Sequence, residues 1–509
     1  VKFDRAVLHR YGIGFATTPH DTMLAHYCLD AASRHGMDAL AERYLKYRPI
    51  PIERLIGEKE RGKEQLNMAA LSPEEICDYA AEDADVTLQL EDAIRPLVEN
   101  AGILRALEEA EEPLVKVLLD MEREGVKIDV GALEEYAREL DREILGYLQT
   151  IRSYAEPGFN PDSPKQLGAL LFDRLGLAGS KKTASGQWAT DEKTISKLAG
   201  EHPIIASILE YRACTKLKST YVDKLPTLID ENGRVHTTYA QAFTETGRLS
   251  SSDPNLQNIP IRTERGKFIR KAFVARDADH VIVSADYSQI ELRLMAAMSG
   301  DKAMLEAFRN GEDIHRDTAS RVYDVMPAFV TPEQRSKCKM VNFGIIYGIS
   351  SFGLSQRLKV PRKEAAELIE TYFKLYPKVK DFMSAAIEKA RAKGYAETVL
   401  GRRRTLRDIN SRNATARQAA ERDAINTPIQ GSAADLIKIA MVKVDRALKA
   451  EGLRTKMVLQ IHDELVFDAP LDEVEKVKEI VKREMTTALD FGVPLDVGIG
   501  VGPNWLEAH

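Results

Sequence analysis

The sequence predicts an α+β chain of about three domains, with long helical stretches around a strand-bearing centre. Three observations carry this expectation. Val281-Ile-Val-Ser-Ala285 is a short apolar run, rich in β-branched residues, that ends at Asp286 and passes at once into an amphipathic helical pattern. Met457–Ile461 and Leu465–Phe467 are two apolar runs around the polar triplet His462-Asp463-Glu464, a hairpin pattern. Residues about 106–225 and about 306–429 read as helical, and 509 residues suffice for large cores.

Asp286 stands at the end of the first predicted strand, where rigid backbone holds a carboxylate at the edge of a core. A divalent cation would offset the cost of desolvating it there. The same residues allow a plainer reading, because Ser288 and Glu291 have capping-box spacing and Asp286 would then be a turn residue. At the hairpin tip, Asp463 and Glu464 repel each other unless a cation lies near, and a solvated turn is the alternative. Together with Asp286, two separated carboxylates on strand ends suit a pair of divalent ions about 3.5–4 Å apart.

A third element is Arg335-x-x-x-Lys339-x-x-x-Phe343-x-x-x-Tyr347. Steps of four place these side chains on one helical face. A guanidinium fork and a point charge one turn apart suit a polyphosphate, and two aromatics beyond them offer a surface for a base or sugar. The alternative is a basic helix with two core aromatics. Gly344 and Gly348 argue against it, because glycine costs about 1 kcal/mol inside a helix and implies a close approach to the backbone.

These segments resemble the motifs of the family A DNA polymerases. Asp286-Tyr-Ser-Gln-Ile-Glu-Leu-Arg293, the Arg335 to Tyr347 helix and His462-Asp-Glu464 correspond to three of them. Thr246-Gly-Arg-Leu-Ser-Ser-x-x-Pro-Asn-Leu-Gln-Asn-Ile-Pro260 stands upstream, and Arg422-Asp-Ala-Ile-Asn-Thr-Pro-Ile-Gln-Gly431 stands between the last two, in the family order. The resemblance implies a right-hand polymerase fold: a palm with an antiparallel sheet, at about 226–305 and 430–509, helical fingers at 306–429 and a helical thumb at 106–225. It implies template-directed addition of dNTPs to a primer–template DNA with two Mg²⁺ ions, for which Mn²⁺ could substitute.

The resemblance also implies roles. Asp286 and Asp463, with the Tyr287 carbonyl, would hold the metals. Glu464 would join the catalytic group at the primer terminus, and Lys339 would give a proton to pyrophosphate. Arg335, Lys339 and His315 would bind the phosphates. Phe343 would pack on the sugar, Tyr347 would lie near the template base, and Gln289 and Glu291 would face the nucleotide. Glu291 and the form of its motif favour deoxynucleotides over the ribonucleotides of single-subunit RNA polymerases. DNA contacts would come from Arg248, Asn258, Arg422, Asn426, Gln430 and His462, several of them in the minor groove, where every base pair offers acceptors at similar places.

Net charge is −6, yet Lys216, Lys218 and Lys224, then Arg262 to Lys271, then Arg402-Arg-Arg404 form basic clusters that could follow a phosphate backbone, a solvated face being the alternative for each. Cys28, Cys77, Cys214 and Cys338 have no metal spacing and read as free thiols. No run of 18 apolar residues and no signal-peptide pattern occurs, so neither membrane nor secretion is indicated; the resemblance implies a monomer in the bacterial cytoplasm, at the nucleoid.

Val1-Lys-Phe-Asp4 opens without methionine and reads as the interior of a longer chain. Asp4, with Tyr79 and Asp83 at the start of a helix, resembles two motifs of the proofreading 3′–5′ exonuclease. Residues 1–105 are therefore expected to be part of an RNase H-like α/β domain lacking its first acidic motif and inactive as a nuclease. A nuclease reading of the whole chain would rest on these three residues alone. A non-catalytic DNA-binding reading would make the paired carboxylates incidental, although anions facing DNA would only weaken binding.

Overall fold

In the computed structural model, which describes residues 1–59, 64–178, 181–260 and 263–509, both acid-bearing segments enter one sheet. Its strand order is Val497–Gly502, His280–Tyr287, Glu464–Pro470, Lys456–Ile461. Glu464–Pro470 is buried throughout, and only Lys456 of its partner is exposed. Burial on both faces explains apolar runs without alternation. The two strands pair antiparallel with Glu464 opposite Ile461, and the register shifts between Val466 and Phe467. The helix Ser432–Ala450 is buried at every position from Ser432 to Val442 and packs against Val474–Thr486.

Most residues of these elements belong to a compact unit of Val1–Arg123, Thr238–Asp253 and Val283–Gly500. The same unit holds the helices Ile314–Tyr323, Pro332–Ile346, Ser351–Leu358, Arg362–Leu375 and Pro377–Lys393. The helix Ala414–Asn426 runs into Ser432–Ala450 through one π turn, Thr427–Gly431. Pro428 lies inside that turn and has no N–H to continue the ladder. Residues 1–105 contribute helices, chiefly Thr22–Leu29 packed on Pro73–Asn100, and no strand among their described residues.

The second unit is Glu124–Thr237, Pro254–Ile282 and Val501–His509. Asp129 caps Val130–Ser153, which buries Leu133, Tyr136, Leu140 and Ile151 and packs on Pro203–Leu217. Val126–Ile128 lies between Arg234–Val235 and Phe273–Val274, antiparallel to both. Trp505 is fully buried, with the Arg270 guanidinium 3.9 Å from its ring centroid.

The basic clusters are largely consumed inside the protein. Lys218 pairs with Asp223 at 2.8 Å, Lys267 with Glu264 at 2.6 Å, and Arg265 with Glu143 and Glu210. Arg262 lies outside the described residues, and Lys216, Lys224 and Lys271 are exposed. The Arg402-Arg-Arg404 run does not follow the expected pattern. Arg402 is 2% exposed, Arg403 donates to the Ala101 carbonyl, and Arg404 pairs with Glu245 and Asp423.

Candidate active site

Apolar residues from Ile282 to Ala285 hold the first strand in the core, and the strand continues through Asp286 to Tyr287 instead of stopping before the acid. The Tyr287 amide donates to the Asp463 carbonyl at 3.2 Å, and the Ser288 amide to the Asp496 carbonyl at 2.9 Å. The backbone bond at Asp463 brings the hairpin tip against the end of the strand that carries Asp286. The Tyr287 ring is buried and its hydroxyl donates to the Met485 carbonyl, which fixes the strand end.

At the hairpin, His462 adopts a left-handed conformation with φ 55° and is exposed, leaving a two-residue tip. Gln460 Nε2 donates to the His462 carbonyl and braces that tip. Glu464 is not a tip residue. It begins the next strand, is 3% exposed, and accepts from Ser284 Oγ at 2.7 Å. Burial pushes the Asp463 carboxyl up, with the Arg248 guanidinium pulling the other way. A carboxylate costly to ionise, at a hairpin tip whose backbone is bonded beside a second acid, is a donor set that fits a divalent cation. Among the described residues no three His, Cys, Asp or Glu side chains converge on a point, so water and substrate phosphates would complete any coordination.

The capping box at Ser288 does not form. Gln289 takes a left-handed conformation (φ 54°, ψ 41°), and the helix Ile290–Ser299 starts with no side-chain cap. Glu291 instead turns inward, 5% exposed, and accepts from Arg248 Nη2 at 2.7 Å and from the Tyr347 hydroxyl at 2.5 Å. Burial raises its carboxyl despite both partners. The Gln289 Oε1 atom is buried without a hydrogen-bond partner.

Thr331 and Gln334 form a capping box, with Pro332 in the first turn, and launch Pro332–Ile346. Tyr347 caps the helix C-terminus and is not one of its turns. Arg335 Nε donates to Asp313 Oδ2 at 2.6 Å, Lys339 is exposed, and Phe343 is half-buried. Burial raises the Asp313 carboxyl, but Arg335 and the amides of Arg316 and His315 outweigh it and hold it below the usual range. His315 lies 5.6 Å from Phe343, ring to ring, and its Nδ1 sits 3.0 Å from Asn342 Nδ2. Burial lowers the imidazole to about 4, Asp313 opposing and Lys339 and Arg335 assisting, so the ring is neutral at pH 7.

The glycines of this helix end are explained by the protein itself. A Cβ on Gly344 would lie 2.9 Å from Ile349 Cγ2. Gly348 has φ +63°, and a Cβ there would lie 3.0 Å from Arg422 Cγ. Arg422 is exposed on Ala414–Asn426. Asn426 and Gln430 are half-buried at the π turn, with Asn426 Oδ1 buried and without a partner. Asn258 is exposed in the second unit.

Sequence reasoning missed Asp313, Asn342 and Ser284. The signal for Asp313 was an acid two residues before His315, an N-cap position. Nothing local marked the other two.

Tyr79 and Asp83 share one face of Pro73–Asn100, in its second and third turns and not at its start. Burial and the Asp83 charge raise the Tyr79 phenol. Burial also raises Asp83, which the Tyr79 hydroxyl partly offsets. Asp4 lies on Lys2–Arg10 and is exposed.

The chain belongs to the family A DNA polymerases: that family's model matches residues 130–507, and a 3′–5′ exonuclease model matches residues 1–99. It is 47% identical to DNA polymerase I of Pseudomonas aeruginosa, over 96% of this chain and 54% of that protein. It is 45% identical to DNA polymerase I of Chloroflexus aurantiacus, over 99% of this chain and 54% of that protein. The chain thus spans about half the length of the curated relatives it matches. Its fold superimposes with a TM-score of 0.86 on the POL domain of Pol1 from M. smegmatis, solved with DNA primer-template and dNTP. That match has 39% identity and covers 96% of this chain and 82% of that one.

Proposed function

We propose that this chain adds deoxynucleotides to a primer 3′-hydroxyl on a DNA template, with Asp286, Asp463 and the Tyr287 carbonyl holding two Mg²⁺ ions or Mn²⁺ in their place. The observation that carries the reading is the bond between Tyr287 N and Asp463 O, which ties the hairpin tip bearing Asp463 to the strand end next to Asp286. Membership of the family and the structural neighbour's bound primer-template and dNTP support it. No described helix is long and apolar enough to cross a membrane. The proposal includes a monomer working at the nucleoid in the bacterial cytoplasm, and a 1–105 segment that does not proofread.

When bound, the ions would lower the pKa of the primer hydroxyl and neutralise the triphosphate. The chain's own residues supply the rest. Arg335 and Lys339 lie one turn apart and bind phosphate oxygens as a fork and a point charge. The neutral His315 imidazole adds a hydrogen bond without adding charge. Lys339, exposed on the helix, is the proton donor to the departing pyrophosphate. Glu291, fixed by Arg248 and Tyr347, closes the space beside the sugar 2′ carbon. Glu464, buried against Ser284, steadies the hairpin that carries Asp463. Arg248, Asn258, Arg422, Asn426, Gln430 and His462 serve the DNA, and the helices of the second unit act as the thumb.

Primer extension tests the reading. With Mg²⁺ and dNTPs the chain should lengthen a DNA primer on a DNA template, and with rNTPs it should do so far more slowly. No extension with dNTPs would overturn it.

A further inference from the structure

Arg402, a member of the supposed surface cluster, lies at the centre of a buried charge network. Its Nε and Nη2 donate to Asp435 Oδ1 at 3.0 and 2.9 Å, and Nη2 pairs with Glu111 at 2.6 Å. Lys438 Nζ pairs with Glu111 at 2.5 Å, and Gln241 Nε2 donates to the same carboxylate. Asp435, Glu111 and Lys438 are each 0% exposed. Two acids and two bases make the set neutral. Such a buried set is weak as a source of stability, because apolar residues of similar volume often do as well. It therefore needs another explanation, and its neighbours provide one.

The network presses on two segments that carry proposed DNA contacts. Gly247 has φ +87°, and a Cβ there would lie 3.2 Å from Arg402 Nε and 3.3 Å from its Cδ. Arg248 follows directly. On the other side Thr398 Oγ1 donates to Asp435. A Cβ on Gly431, which follows Gln430, would lie 2.5 Å from Thr398 Cγ2 and 3.4 Å from the Thr246 carbonyl. A third tie comes from Tyr27, whose ring centroid lies 5.3 Å from the Arg402 guanidinium and whose hydroxyl donates to the Thr244 carbonyl at 2.6 Å. Thr244 Oγ1 in turn donates to the Arg248 carbonyl.

We propose that Arg402 is a positioning residue that sets Arg248 against the primer-terminal base pair, acting through the backbone at Gly247, with Thr398 setting Gln430 in the same way. The inference rests on the polymerase reading above. Arg402 touches no substrate. Its flat fork serves Asp435 and Glu111 while its stem buttresses Gly247, and a lysine could keep the charge but not the fork.

The test is single-nucleotide addition on matched and mispaired primer ends. The parent is measured first, since failure of the parent to extend a matched end refutes the polymerase reading and not this one. Arg402→Lys should lower kcat on a matched end about tenfold, leave the dNTP KM within twofold, and leave mispaired extension within twofold. In an Arg248→Ala background the same change should cost less than twofold. An equal loss on matched and mispaired ends, or the full loss repeated without Arg248, would overturn the proposal. If Arg402→Lys does not fold, Thr398→Val is measured in the same way. A fall of about threefold in the matched-to-mispaired ratio supports the inference, and a parental ratio overturns it.

Discussion

The Tyr347 hydroxyl donates to the Glu291 carboxylate at 2.5 Å, so the residue that ends the helix Pro332–Ile346 is latched to the helix that follows the strand bearing Asp286. Arg248 donates to the other oxygen at 2.7 Å. A carboxylate held from two sides and 5% exposed is fixed in place, as the proposed role beside the nucleotide sugar requires.

Glu291→Ala is therefore expected to relax sugar selection. The 2′-hydroxyl is what tells RNA from DNA precursors, and the side chain that closes that space would be gone. The ratio of ribo- to deoxynucleotide incorporation should rise at least about tenfold, a discrimination worth about 1.4 kcal/mol. Stability should also fall by about 1–3 kcal/mol, because Tyr347 and Arg248 lose their shared acceptor. An unchanged ratio alongside a lowered melting temperature would leave Glu291 as a structural anchor only.

Asp286→Ala and Asp463→Ala should each abolish nucleotide addition while DNA binding stays near the parental level. Each removes a proposed metal ligand and also a negative charge near phosphates. Extension by either variant within about tenfold of the parent rate, a difference of about 1.4 kcal/mol, would count against the metal assignment.

Much of this centre was legible because strands and acids leave local marks. Val281 to Ala285 and the two runs of the hairpin needed only length and branching to be placed. Other features depended on distant partners. Ser288 and Glu291 had capping-box spacing, but the left-handed Gln289 between them removed the cap and freed Glu291 for Arg248 and Tyr347. Three consecutive arginines looked like a surface, yet Glu111 and Asp435, far off in sequence, draw Arg402 inside. Gly344 and Gly348 did mark close approaches, but by Ile349 and Arg422.

His315 supplies a pH test. Its folded value, about 4, lies below the ordinary 6.5, so its contribution is present above pH 6.5 and is lost as the pH falls through 4. The loss should reach about 3 kcal/mol at the acid end, from about 1.4 kcal/mol per pKa unit. In His315→Gln, chemical denaturation between pH 7 and 4 should show a correspondingly shallower decline. Parallel curves for parent and variant would mean that the imidazole is not held neutral.

Phe343 stands on the same face as Arg335 and Lys339 and has no hydroxyl with which to replace a missing sugar 3′-hydroxyl. The parent should therefore discriminate against dideoxynucleotides, and Phe343→Tyr should accept them at least about tenfold more readily, again about 1.4 kcal/mol. Chain-termination ladders would report it. Equal dideoxy sensitivity in the two proteins would remove Phe343 from the sugar contact.

The last expectation is that this chain polymerises without proofreading. Hydrolysis of a phosphodiester by two metals needs its own set of acids, and residues 1–105 offer Tyr79, Asp83 and Asp4 for it. Tyr79 and Asp83 face each other one helical turn apart, and burial raises both, so the pair supplies one carboxylate where two ions need several. Asp4 lies on a separate helix and is exposed. A 5′-labelled mispaired primer–template incubated with Mg²⁺ and no nucleotides should keep its length. Steady shortening from the 3′ end that disappears in Asp83→Ala would show that this segment assembles a working nuclease centre around Asp83, and would overturn the expectation.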